Sequence, residues 1–130
     1  MRIGVAAVGI ALLGACMAGL GMAPREEVNR WALARARAVG EPAACIPVSL
    51  IRNGEGRDDR TIDFTLATGR IMRNRLPADC PGLGFESRFQ HRATLGRLCA
   101  SDLVTILRSD GSGGRTCALG MFQEVEIAPR

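Results

Sequence analysis

A single histidine and two adjacent carboxylates are the residues of this sequence best suited to acid–base chemistry. His91 is the only histidine, and with Asp58 or Asp59 in hydrogen-bond reach it would serve as the general base of a small hydrolase or lyase. Ser112 lies in a Gly-rich run that superficially matches a protease active-site loop. The chain, however, has no G-x-S-x-G elbow and is too short for that fold. We therefore favour an ordinary polar role for His91 and assign no catalytic residue.

The glycine–aspartate spacing of residues 54–58 is that of calcium-binding β-helix repeats. Those sites complete their coordination shell by stacking repeats, and this chain has one copy. We therefore expect a structural turn there, followed at residues 58–60 by a second turn with a local ion pair. No metal and no cofactor is predicted.

All 17 basic residues are arginine, and the formal net charge is +4. Arg73 and Arg75 project from the same face of a predicted strand, and Arg92 is one of several arginines that would lie nearby. Guanidinium groups bind phosphate and carboxylate bidentately, so these three form a candidate site for an anion of the cell envelope. The alternative, which we favour, is a solvated sheet face with cross-strand partners such as Asp63. A net charge this small, with no stripe of basic residues and no aromatic residues interleaved among them, predicts no nucleic-acid partner.

Four cysteines of the mature chain, Cys45, Cys80, Cys99 and Cys117, form an even set in a small exported domain, which predicts two disulfides. Their spacing contains no C-x-x-C pair, which argues against zinc and against thioredoxin-like chemistry. Spacing alone allows three pairings. We favour Cys45–Cys117 with Cys80–Cys99, because Cys45 and Cys117 each begin a predicted strand near an end of the domain.

Residues 1–23 have the pattern of an export signal. An apolar region at residues 3–13 is followed by Leu-Gly-Ala-Cys, a lipobox in which Cys16 would be lipidated. The sequence therefore predicts an exported, periplasmic lipoprotein whose membrane contact is the lipid on Cys16. Two alternatives remain, namely an ordinary signal-peptidase cut near Ala18 or Ala23, and an uncleaved anchor of about the length that spans a bilayer.

Residues 24–39 are the one convincing mature helix, within a helix-and-linker segment of residues 24–44. Pro24 suits a first helical position, and acidic residues occupy the first turn, where the helix dipole favours them. Gly40 and Pro42 give the stop signal. We expect this helix to be a tether or to pack lightly on the domain. The alternative is a membrane-surface helix with Trp31 at the interface.

Residues 61–76 contain the clearest β-hairpin, with alternating apolar and polar residues on either side of a turn that places Gly69 in the left-handed region. The preferred register sets Phe64 opposite Met72 on the core face. It sets Asp63 opposite Arg73 on the solvent face. A one-residue slip would instead bury arginine against Phe64.

The rest of the mature domain, residues 45–130, alternates short apolar segments with turn signals. Further strands are predicted at residues 45–52, 98–107 and 116–127, with residues 85–93 either a strand or a helical turn. Loops are predicted at residues 53–60, 77–84 and 109–115. In the last strand, Leu119, Met121, Val125 and Ile127 should share one face. The pattern predicts an all-β fold, a small sandwich or barrel of five to seven short strands stapled by disulfides.

Several short segments of the mature domain carry a family resemblance. They are CIP (45–47), DDRTI (58–62), RNRLP (73–77), CPGLGFE (80–86), LC (98–99), Asp102 and CALGMF (117–122). On these residues the chain resembles a family of short, uncharacterised exported bacterial proteins classed as a domain of unknown function. The resemblance implies export and a cysteine-stapled domain, and it implies no activity.

Taken with the absence of a catalytic motif, these observations favour a non-enzymatic structural or binding module of the cell envelope. The alternative function is the small periplasmic hydrolase or lyase that would use His91 with a nearby carboxylate.

Overall fold

The structure, a computed structural model, describes Gly4 and residues 23–93 and 95–129. The predicted lipidation site, Cys16, lies outside the described residues. Within them the fold is small and all-β, stapled by two disulfides. The helices are α1 (Arg25–Arg35) and α2 (Leu83–Glu86). The strands are β1 (Ala36–Ala38), β2 (Cys45–Pro47), β3 (Ile51–Asp58), β4 (Thr61–Leu66), β5 (Ile71–Arg75), β6 (Phe89–His91), β7 (Arg97–Cys99), β8 (Leu103–Leu107), β9 (Gly113–Ala118) and β10 (Phe122–Ile127).

The strands form three antiparallel sheets in the described part of the chain. The largest has five strands in the order β1-β10-β5-β4-β3, the second pairs β2 with β7, and the third has the order β6-β8-β9. The β4–β5 hairpin confirms the predicted register, because Phe64 pairs with Met72 and Asp63 with Arg73. Gly69 takes the predicted left-handed conformation, with φ of 84°.

One hydrophobic core is shared by all three sheets. The even-numbered residues of β4 enter it, and the ring of Phe64 lies 5.8 Å from that of Phe89 and 5.7 Å from that of Phe122. The two smaller sheets add residues such as Leu98 and Val104, both fully buried. Because every sheet supplies side chains to the same core, the three sheets are held together by apolar burial as well as by the disulfides.

The Gly-rich segment predicted as a turn at residues 53–60 is instead most of strand β3. Its glycines are needed for close packing. A Cβ on Gly54 would lie 2.5 Å from Cζ of Phe89, and a Cβ on Gly56 would lie 2.6 Å from the carbonyl oxygen of Leu83. Glycine in a strand often marks such an approach, and the sequence reasoning mistook that signal for a turn. Asp59 and Arg60 form the turn.

The predicted helix to residue 39 is wrong at its C-terminal end. The helix stops at Arg35, Ala36 is extended, and Ala36–Ala38 pairs with β10 as an edge strand. Further along, Ala43 exchanges backbone hydrogen bonds with Phe122. Strand pairing therefore overrides the helix propensity of alanine, and residues between the helix and Cys45 contribute to the main sheet.

Three predicted strands are each divided and Ala36–Ala38 adds another, so the described residues contain ten strands instead of five to seven. Residues 45–52 are broken by a 3₁₀ turn at Val48–Leu50, residues 98–107 by a turn at residues 100–102, and residues 116–127 by residues 119–121. The second break follows from local chemistry, because Asp102 Oδ2 accepts a hydrogen bond from the Cys99 N–H at 2.7 Å. The predicted shared face also fails at Met121, which is 49% exposed, whereas Phe122 is buried.

The four cysteines form two disulfides, as predicted, but the favoured pairing is wrong. Cys45 bonds to Cys99, and Cys80 bonds to Cys117. The reason is topological, because β2 pairs with β7 and this register sets Cys45 directly opposite Cys99. Two disulfides in so small a domain are typical of an oxidising, exported environment. Among the described residues, no helix is long and apolar enough to cross a membrane.

We predict that non-reducing peptide mapping will recover Cys45 linked to Cys99 and Cys80 linked to Cys117. Replacing Cys45 and Cys99 with serine should lower the free energy of unfolding by about 2–4 kcal/mol, because one bridge no longer restricts the unfolded chain. The matched double variant Cys45→Ser/Cys117→Ser removes one cysteine from each bridge and should lose about twice as much. A recovered Cys45–Cys117 peptide would contradict the structure.

Candidate functional site

The polar face of the five-stranded sheet is covered by α1, and a buried carboxylate lies at its centre. Asp63, predicted on the solvent face, is 2% exposed. Its Oδ1 accepts a hydrogen bond from Nε of Arg73 at 2.7 Å, and its Oδ2 accepts one from Nη2 of Arg73 at 2.8 Å and one from Nε of Arg57 at 3.0 Å. The prediction of a wet face is wrong because it took no account of a helix packing on that face.

The same two arginines hold the helix. Nη1 of Arg57 donates to Oδ1 of Asn29 at 3.0 Å, and Nη2 of Arg73 donates to the carbonyl oxygen of Ala32 at 3.3 Å. Asn29 and Ala32 are the buried residues of α1. The helix is therefore docked on the sheet through a network of charge-assisted hydrogen bonds.

Two cavities of ligand size flank the domain. The first, which we call the helix cleft, has a volume of about 770 Å³ and lies between α1 and the β3–β4 turn. Its lining residues are Arg25, Glu26, Asn29, Arg30, Leu33, Arg57, Asp58, Asp59, Arg60, Arg75, Asp79, Gly84 and Phe85. The second, the histidine cavity, has a volume of about 430 Å³. It is lined by Ile51, Arg52, Asn53, Gly54, Phe64, Ser87, Arg88, Phe89, His91 and Leu107.

The histidine cavity lies where β3, the edge strand of the main sheet, meets β6 of the third sheet. Strand β3 supplies Arg52, and the segment between α2 and β6 supplies Arg88. That segment is held in place because the carbonyl oxygen of Arg88 accepts a hydrogen bond from the Leu107 N–H at 2.9 Å. His91 is fixed by the pairing of β6 with β8, opposite Val104. Strand pairing therefore fixes the backbone of His91, a register irregularity between Ile51 and Asn53 carries Arg52, and a backbone hydrogen bond holds Arg88.

The charge in this cavity is entirely positive or neutral. Its lining contains Arg52, Arg88 and His91 and no carboxylate. Within the part of the chain that the structure describes, none of these three side chains makes a hydrogen bond or ion pair. Phe89, which is half-buried, gives the cavity an aromatic wall. An anionic group attached to an apolar body is the ligand chemistry that matches these surroundings.

The structure does not bring together the residues of the predicted hydrolase. Asp58 and Asp59 line the helix cleft, whereas His91 lines the other cavity. Oδ1 of Asp58 accepts the backbone N–H of Arg60 at 2.8 Å, and Oδ1 of Asp59 accepts that of Gly84 at 3.0 Å. Both aspartates therefore serve turn structure, and no acid–base pair with the histidine is assembled.

Ser112 also has a local role. Its hydroxyl donates to Oδ1 of Asp110 at 2.6 Å and its backbone N–H to the same atom at 2.8 Å, inside the β8–β9 turn. These two hydrogen bonds, with the hydroxyl contributing most, lower the pKa of Asp110. The serine lies outside both cavities.

The three arginines predicted to bind an anion lie in three different places. Arg73 is occupied by Asp63, Arg75 lines the helix cleft, and Arg92 is exposed beyond β6, outside both cavities. From the sequence, Arg88 was only one of several arginines that could lie near Arg73 and Arg75, and Arg52 was not a candidate. No local signal marks them, because they meet only when the edge of one sheet approaches another.

Elsewhere on the described surface, Arg70 donates two hydrogen bonds of 2.8 Å to the Glu124 carboxylate across β5 and β10. Those bonds, and then the attraction between the charges, raise the pKa of Arg70, and the Arg70 hydrogen bond lowers that of Glu124. Among the described His, Cys, Asp and Glu residues, no three cluster in a way that could hold a metal ion.

No protein-family model, curated protein or solved structure matches this chain. The resemblance to uncharacterised exported bacterial proteins stays a prediction.

We predict that Asp63→Asn will lower the free energy of unfolding by about 3–5 kcal/mol, because it leaves Arg73 beneath the helix without a carboxylate partner and Arg57 with Glu55 alone. Urea denaturation measures the change. The control is Glu126→Gln, which removes a 2.6 Å pair with Arg37 whose side chains are 63% and 78% exposed. It should cost less than about 1 kcal/mol. Equal losses in the two variants would contradict a structural role for the buried pair.

Proposed function

We propose that this protein is an exported, non-enzymatic binding module that takes an anionic amphiphile, a carboxylate or phosphate group on an apolar body, in the histidine cavity. One observation carries the proposal. Two guanidinium groups and the chain's single imidazole line one cavity that has no lining carboxylate. The proposal keeps the binding function expected from the sequence and transfers it to different arginines.

Uncompensated positive charge in a concavity supports an anionic ligand. Arg52 and Arg88 belong to different segments, so an anion between them would receive hydrogen bonds from two directions. Guanidinium groups match carboxylate and phosphate oxygens in geometry, and His91 adds a further N–H donor. The like charges of the two arginines repel each other in the free protein, and an anion would relieve that repulsion.

The apolar part of the cavity supports a hydrocarbon portion of the ligand. The half-buried side chains of Phe89, Ile51 and Leu107 line it beside the basic groups. Each methylene buried against such a wall contributes about 0.8 kcal/mol, and the volume falls within the roughly 300–1,000 Å³ typical of small-molecule sites. Affinity should therefore depend on both the head group and the chain length.

The proposed location is the bacterial periplasm, with a lipid on Cys16 as the membrane anchor. Support comes from the two disulfides, which are typical of oxidising compartments, and from the lipobox in the sequence. An anchored module would hold its cavity near a membrane surface, where molecules with anionic heads and apolar chains are concentrated.

We predict that octanoate and octyl phosphate bind the mature domain more tightly than octan-1-ol, measured by isothermal titration calorimetry. The double variant Arg52→Gln/Arg88→Gln should weaken binding of both anions by at least about tenfold, because charge-assisted hydrogen bonds are lost. Binding of the alcohol should change little. His91→Gln should give a smaller loss for the anions.

Arg35→Gln/Arg97→Gln is the matched control, because both arginines are exposed outside both cavities and their loss changes the net charge by the same two units. It should leave all affinities unchanged. Equal affinity for octanoate and octanol, or equal losses in the control and the double variant, would refute the proposal. A preference between the two anions would identify the head group.

A further inference from the structure

We infer that the helix cleft is a second binding site, one that takes a short peptide with a free amino group, a free carboxylate and an apolar side chain. The inference rests on the cleft alone and is independent of the histidine cavity. The cleft has about twice the histidine cavity's volume, 770 Å³ against 430 Å³. It presents unpaired charges of both signs.

Three of the arginines that line the cleft bind other groups of the protein and hold its walls together. Nη2 of Arg25 donates to the carbonyl oxygens of Gly84 and Phe85, the former at 2.8 Å, which ties α1 to α2. Arg60 donates to the carbonyl oxygens of Leu76 and Pro77 at 2.8 and 3.0 Å. Arg57 is held by Asp63. These contacts are all within the protein, and they hold the walls of the cleft in place.

Two further arginines have no such partner. Arg30, on α1, and Arg75, at the end of β5, are exposed and make no side-chain hydrogen bond to any described residue. Four carboxylates line the same cleft, yet none comes within the 4.0 Å of an ion pair with either guanidinium. The cleft therefore keeps positive charge that its own acids do not neutralise.

Negative charge is likewise available. Glu26 and Asp79 make no side-chain hydrogen bond or ion pair within the described chain, and both are exposed. Asp58 and Asp59 use Oδ1 for backbone N–H groups, and no described residue bonds to Oδ2 of either. Opposite charges that remain separate in one concavity are complementary to a ligand that carries both charges at a distance from each other.

The uncharged residues of the cleft favour a ligand with an apolar side chain. Phe85 is 79% exposed although its backbone is tied to α1, and Leu33 lines the cleft from the helix. Charged termini with an aromatic side chain between them suit such surroundings.

The test uses zwitterionic di-, tri- and tetrapeptides of alanine that end in phenylalanine, titrated into the mature protein with α1 included and followed by calorimetry. At least one should bind, and N-acetylation or C-terminal amidation of that peptide should each weaken binding by about tenfold, because each removes one charge-assisted contact. Arg75→Gln should weaken the free peptide and abolish its advantage over the amidated form. Asp79→Asn should abolish its advantage over the acetylated form.

Controls separate this site from the rest of the surface. Arg97→Gln and Asp110→Asn carry the same charge changes outside the cleft and should leave peptide affinity unchanged, as should Arg52→Gln/Arg88→Gln in the histidine cavity. All these positions except Asp110 lack side-chain partners in the described residues, and circular dichroism checks that each variant is folded. The inference fails if no peptide binds, if the doubly blocked peptide binds as tightly as the free one, or if the control variants lose as much as Arg75→Gln.

Discussion

The buried carboxylate of Asp63 is the constraint on which the arrangement of helix and sheet depends. An ionised group removed from water is tolerated only where opposite charge and hydrogen bonds surround it. Arg57 and Arg73 meet that requirement, and their remaining donors bind Asn29 and Ala32 of α1. The helix therefore packs on the sheet mainly through polar contacts. Its position in turn forms one wall of the helix cleft.

The register of the β4–β5 hairpin links the position of the buried carboxylate to the rest of the fold. Side chains alternate along β4, so the register that places Asp63 under the helix also sends Phe64 into the core between the sheets. A slip of one residue would exchange the two environments and bury a carboxylate among apolar side chains. Phe64 in turn contacts Phe89, and Gly54 permits that contact. The histidine cavity, at the junction of β3 and β6, thus depends on the same register.

The features that could be predicted from the sequence are those that depend on interactions between residues close together in the chain. The β4–β5 register and the left-handed Gly69 depend on neighbouring residues, and both were predicted correctly. Disulfide pairing depends on which strands meet, and the local pattern could not show that Cys45 would face Cys99. The candidate site follows the same logic. Strand alternation alone shows that Arg73 and Arg75 project from the same face. The different roles of the two arginines could be seen only once the helix was known to pack on that face.

Composition has a different meaning once the fold is known. A chain whose basic residues are all arginine shows no obvious functional subset, because each has the same chemistry. In the structure, the arginines differ in the groups that their side chains bind. Arg57, Arg60 and Arg73 are consumed by carboxylates and carbonyl oxygens that hold elements together. Arg52 and Arg88 lie at a cavity with nothing described to bind. Both side chains are exposed and lie in one concavity that no carboxylate lines, and this arrangement is the ground on which we propose an anionic ligand.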